Sequence, residues 1–198
     1  MSASSAPFGL RPAFHPSGLD RAQALAGGIA SAFNTDIYKG QPVRYNTTAI
    51  GGTLGTICPA TTSGAWVGAF AGVEWTDTTG RARVSNYWPA NTAYTAGTCT
   101  AYFYNDQNIV YEIQADGSMA QTTIGNEFNF SNVTSGSTTT GLSAATLNAS
   151  SAVGNGVQGQ LRVVDLAPYP GNAWGDAYTI VRVVCANSQF FGAVTAIA

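Results

Sequence analysis

Turn signals punctuate this chain about every ten residues. Helices need longer uninterrupted segments, so the punctuation points to strands. Between the turns stand short runs rich in β-branched and aromatic residues: "QPVRY", "GTLGTICPA", "TCTAYFY", "IVYEIQA", "QLRVVDL" and "AYTIVRVVCAN". In "IVYEIQA" the side chains of Ile109, Tyr111, Ile113 and Ala115 face one way, and Val110, Glu112 and Gln114 face the other. That period of two is the clearest strand signal in the chain. The 23 glycines exceed the usual share of about 7% and follow no collagen-like period. They serve as turn punctuation. The sequence therefore predicts an all-β fold, an antiparallel β-barrel or β-sandwich, with an extended N-terminal arm.

The arm is predicted over residues 1–20 and a single β-rich domain over 21–198. Pro7, Pro12 and Pro16 keep their preceding residues out of helix and remove backbone donors. Phe8, Leu10 and Phe14 are apolar residues in a segment that cannot form its own core. Twenty extended residues reach about 65 Å, against a radius of gyration of about 16 Å for a domain of this size. The arm is thus expected to dock on a neighbouring subunit. "RAQALAGGIASAF" carries Gly27-Gly28, which costs a helix about 2 kcal/mol, so it is expected to be extended or irregular. Asn105-Asp106-Gln107-Asn108 reads as the loop of a hairpin joining "TCTAYFY" to "IVYEIQA". A low-complexity stretch at about 134–156 reads as a surface loop.

Charge is scarce. Only 9% of residues are charged and the net charge is −2, where a soluble monomer's surface is typically about 25–35% charged. The polar surface must be mostly Thr, Ser, Asn and Gln, which fits a protein that works inside an assembly. Lys39 is the only lysine and no basic run exists, so no nucleic-acid partner is expected. No apolar stretch approaches the roughly 18 residues of a membrane span. "MSASSAPFGLRP" has neither the basic nor the apolar region of a secretory signal. The sequons at Asn46, Asn129, Asn132 and Asn148 are accordingly expected to be unglycosylated, and the chain to be kept in a cytosol-like compartment. Cys58, Cys99 and Cys185 lack metal-type spacing and are expected to be buried free thiols.

The groups that carry chemistry are few. His15 is the single histidine, and a Ser-His-Asp triad would have to use it from within the arm. No zinc-type spacing occurs; calcium through Asp77 or Asp106 with nearby carbonyls stays open, but no EF-hand-type loop occurs and a turn-forming Asp is the commoner role. Gly154-Asn155-Gly156-Val157-Gln158-Gly159 matches a dinucleotide-binding pattern but precedes a strand instead of a helix, so it reads as a loop end. Glu74 with Asp77, and Glu112 with Asp116, are the carboxylate pairs a glycosidase would need. Glu112 itself reads as a solvent-face residue. No enzyme activity, cofactor or metal is expected.

Aromatic residues crowd the stretch "VEWTDTTGRARVSNYWPANT" around the turn Asp77-Thr78-Thr79-Gly80. In "RARVSNYW", Arg81, Arg83, Ser85 and Tyr87 share a polar face. Ala82, Val84, Asn86 and Trp88 share the more apolar one, expected to point toward the core. Tyr and Arg together are enriched at interface hot spots. Trp75, Arg81, Arg83, Tyr87 and Trp88 are therefore the subunit-interface candidates, although for any single one of Trp75, Tyr87, Trp88 and Trp174 core is the commoner role.

The ordered series "APFGLRP", "YKGQPVRY", "GAFAGVEWTD", "SNYWPANT", "YEIQADG", "LRVVDL" and "GDAYTIVRV" resembles the capsid decoration, or cement, proteins of tailed phages, cyanophages included. The resemblance covers most of the chain and is weakest in the low-complexity stretch and at "FFGAVTAIA". It implies a β-rich virion protein bound to the phage major capsid protein on the capsid exterior, made in the host cytoplasm and often a homotrimer. It implies stiffening of the mature head without catalysis. In that setting Pro7, Phe8, Leu10, Arg11, Pro12 and Phe14 would form a capsid-contact arm. The competing expectation is a glycan-binding module of a head fibre or tail component, because aromatic platforms and hydroxyl-rich loops also suit sugars.

Overall fold

The alternation around Tyr111 lies at the heart of the first of two packed antiparallel sheets. A computed structural model describes residues 4–18, 22–26 (backbone), 28–46, 55–154 and 156–190. In chain order the strands are Arg11–Phe14 (β1), Ala22–Ala26 (β2), Pro42–Tyr45 (β3), Ile57–Pro59 (β4), Gly68–Thr76 (β5), Ala82–Ser85 (β6) and Thr100–Tyr104 (β7). They continue with Val110–Gln114 (β8), Glu127–Phe128 (β9), Phe130–Ser131 (β10), Thr146–Leu147 (β11), Leu161–Leu166 (β12) and Ile180–Cys185 (β13). The first sheet has the order β1-β8-β13-β12-β9. The second has β2-β7-β5-β3-β4 with β6 added to β5, and β10 and β11 form a small ribbon. All these pairings are antiparallel. Among the described residues the only helix is a single 3₁₀ turn at Gln121–Thr123. The fold is all-β and sandwich-like, as the strand runs required.

Alternation assigns residues to two cores. Ala69 and Tyr104 are cross-strand partners and both join the first core, beside Tyr111, Ile113, Val163 and Val183 of the first sheet. The next pair, Phe70 and Phe103, points to the opposite face of the second sheet. It enters a second core with Val43, Val73, Trp75 and Trp88. Trp66 anchors the first core, edge-on to Phe130 at 5.1 Å, with its indole N–H donated to the Gln160 carbonyl at 3.0 Å. Buried indoles usually find such an acceptor.

The N-terminal segment is extended, but it is seated on its own domain. β1 pairs with β8 through Arg11↔Glu112 and Pro12↔Tyr111, and Leu10 is 1% exposed within the first core. The Ala6 N–H donates to Gln114 Oε1 at 2.8 Å. Gly9 has φ +73°, and a side chain there would lie 2.5 Å from the Gly40 carbonyl oxygen. That close crossing lets the Leu10 N–H donate to the same carbonyl at 2.7 Å. An apolar arm with a core within reach buries itself there.

Three other expectations are corrected. β7 and β8 are not a hairpin: residues 105–108 carry the chain from the second sheet to the first. The stretch at about 134–156 is not all surface, because Ala145 and Leu147 are fully buried and β11 pairs with β10. The second face of β8 is not solvated, since Val110, Glu112 and Gln114 are all buried. The seated N-terminal segment and Tyr169 contact that face. β2, the segment expected to be extended, pairs along β7.

Candidate functional site

The β5–β6 hairpin is built on Asp77. Its Oδ1 accepts from the Thr79 N–H at 2.9 Å, the Thr79 hydroxyl at 2.6 Å and the Arg81 N–H at 3.0 Å. Its Oδ2 accepts from Arg83 Nε at 2.9 Å. The Thr79 hydroxyl, with the Arg81 amide and the Arg83 guanidinium, holds the Asp77 carboxyl well below the usual carboxylate range. Gly80 closes the turn at φ +86°, a conformation that favours glycine.

Beyond the turn, β6 is exposed on both faces, and Val84 is 81% exposed. The apolar face read from the sequence therefore does not continue inward from Val84. Bends follow β6, and Trp88 then pairs with Ile37, its N–H donating to the Ile37 carbonyl at 2.7 Å. That change of course sends Trp88 into the second core while leaving Val84 outside. Tyr87 is half-buried and stacks on Tyr38 at 5.9 Å. Of the five interface candidates, Arg81 and Arg83 are on the surface, Tyr87 is partly so, and Trp75 and Trp88 are buried. Val84 was missed because alternation alone assigned it inward.

The arm candidates lie on the other sheet. Leu10 is internal, Pro7, Phe8 and Pro12 are half-buried, and Arg11 and Phe14 are exposed. Arg11 donates to Glu112 Oε2 at 2.9 Å and to the Tyr169 hydroxyl, which in turn donates to Glu112. Arg182 Nε lies 3.7 Å from Glu112 Oε1, and its guanidinium sits over the Phe14 ring. This polar cluster explains how Glu112 can be buried.

The remaining chemical candidates have structural partners. Glu74 accepts from the Tyr102 hydroxyl at 2.8 Å and Asp116 from the Ala149 N–H at 2.8 Å. His15 Nε2 contacts Asp106 Oδ2 at 3.0 Å, while the Ser17 N–H donates to Nδ1 at 3.0 Å. The Ser17 hydroxyl is also 2.6 Å from Nδ1. Ser, His and Asp thus touch, but the nitrogen that would take the hydroxyl proton already accepts a backbone N–H. The arrangement is that of a clasp joining the end of β1 to the β7–β8 connection. Among the described residues no three His, Cys, Asp or Glu side chains gather around one point, and no helix is long and apolar enough to cross a membrane. No protein-family model, curated protein or solved structure matches the chain.

Proposed function

We propose that this protein is a structural component of a tailed-phage head that binds the outer face of the major capsid lattice and stabilises the mature shell. The observation that carries this reading is the β5–β6 hairpin. Its outer strand presents Val84 to solvent directly after Arg83 and, among the described residues, pairs only with β5. Edge strands are usually blunted by charge or covered. An open edge on a charge-poor protein suits strand addition by a neighbour, with main-chain hydrogen bonds giving affinity. The ordered sequence resemblance supports the same reading and implies self-association, often as trimers.

The mechanism is clamping by buried area. A protein that binds only the mature lattice stabilises that lattice by mass action. Exposed Phe14 and Arg11, on the other sheet, supply a second attachment, and linked attachments gain through effective concentration. Removal of residues 2–14 is not a clean test, because it would take Leu10 from the core and β1 from β8. Point changes are cleaner. Purified protein should co-sediment with mature shells more than with immature ones, and Val84→Asp should reduce occupancy by at least roughly tenfold. Equal binding by the variant, or no binding by the parent, would overturn the reading.

A further inference from the structure

Among the described residues Arg44 stands out as a partly buried guanidinium without a carboxylate; Arg81 also lacks one but is exposed. Arg11, Arg83 and Arg162 each hold a carboxylate oxygen within 2.9 Å, and Arg182 approaches one at 3.7 Å. Arg44 has no carboxylate partner among the described residues, and its Nε is buried without a hydrogen-bond acceptor. Nine of the chain's ten carboxylates are described, and each is engaged elsewhere. The tenth, Asp20, lies outside the described residues. Residues 47–54, which connect β3 to β4, contain no Asp or Glu. Cys58, directly opposite Arg44 in the strand pair, does not supply the missing charge. Burial pushes its thiol up, and Arg44 offsets only part of that.

A partly buried guanidinium without a counter-ion is a costly arrangement unless a ligand completes it. Arg44 lines a cavity of about 320 Å³ together with Phe33, Asn34, Asn46, Thr61 and Thr134. That volume falls in the ~300–1,000 Å³ range of small-molecule sites and exceeds what one carboxylate fills. The amide and hydroxyl side chains can each donate and accept, as ring hydroxyls require. Phe33 adds apolar wall, suited to the C–H face of a sugar ring.

We propose that this cavity binds an acidic monosaccharide unit of the uronic acid type, with its carboxylate on Arg44 and its ring hydroxyls on the Asn and Thr side chains. The site is independent of the shell-binding reading and concerns a different surface. It gives the protein a means of holding acidic polysaccharide.

The test is a titration of the full chain with glucuronate, glucose and acetate, followed by amide chemical shifts or calorimetry. Glucuronate should bind at least about tenfold more tightly than glucose, the loss expected when a charge-assisted bond is removed. It should also bind more tightly than acetate. Arg44→Gln should abolish the preference over glucose. Thr134→Trp, at an exposed rim position, should block glucuronate while leaving the thermal midpoint near that of the parent. Equal binding of glucuronate and glucose, or a preference that survives either substitution, would overturn the proposal. Acetate binding as tightly as glucuronate would also overturn it and point to an acidic side chain of a docking protein. Shell co-sedimentation is unaffected by any of these outcomes, so the two readings fail separately.

Discussion

Trp75 and Trp88 meet edge to face with ring centroids 5.4 Å apart, both inside the second core. Trp88 also lies edge-on to Tyr94 at 5.9 Å. The residues crowded around the Asp77 turn are thus divided by depth: the tryptophans hold the hairpin base, and the arginines and Val84 face outward.

Replacement of Trp88 by Ala should cost about 3–5 kcal/mol, the range for emptying a buried aromatic site. Trp88→Phe should cost clearly less. It keeps a ring against Trp75, and the indole N–H it removes has no hydrogen-bond partner. Urea denaturation of the two variants measures the difference.

Glu112 joins β1, β13 and Tyr169, so its charge should hold the N-terminal segment in place. Glu112→Gln leaves Arg11 and Arg182 without their anion and should cost about 2–3 kcal/mol, the scale of hydrogen bonds to charged groups. Limited proteolysis should then cut within residues 4–18 faster than in the parent. An unchanged cleavage rate would show that the segment is held in place without the Glu112 charge.

The three cysteines should be unreactive in the native state. All are free and buried, burial raises each thiol, and Cys185 is pushed up to about 12. The thiolate is the reactive form. A disulfide reagent at about pH 8 should therefore label none rapidly in native protein and all three after unfolding.

Acid should weaken the hairpin through Asp77. Its folded carboxyl titrates below the ordinary value of about 3.9. Its contribution is therefore complete above that value and is lost as the pH falls from there toward the folded pKa. Asp77→Asn should lower stability at neutral pH and remove this part of the acid dependence. Urea midpoints of parent and variant, compared between about pH 6 and pH 2, should converge on acidification.

Much of the fold was legible in the chain. The runs around Tyr111, Val163 and Val183 announced strands because period-two alternation and turn chemistry are local properties. Pairing partners were not legible. Asn105–Asn108 has a composition that suits a hairpin, yet it bridges two sheets, and composition does not report which edge a strand will find. Leu147, in a run of small polar residues, gave no local sign of the ribbon it forms with Phe130.

Of the candidate sites, the surface arginines of the hairpin were readable and the exposure of Val84 was not. Arg44 appeared only as a residue of the run "QPVRY". Its unmet charge becomes visible once every described carboxylate has been placed against another group.

The sequence by itself determined that this protein is built of short antiparallel strands with little charge, since alternation, glycine turns and composition act over a few residues. Only the tertiary structure decided that Leu10 is core, that Glu112 is buried and that Arg44 faces a cavity. Those outcomes depend on partners far apart in the chain, such as Arg11 with Glu112. Burial of a polar group is tolerated or costly according to whether such a partner arrives.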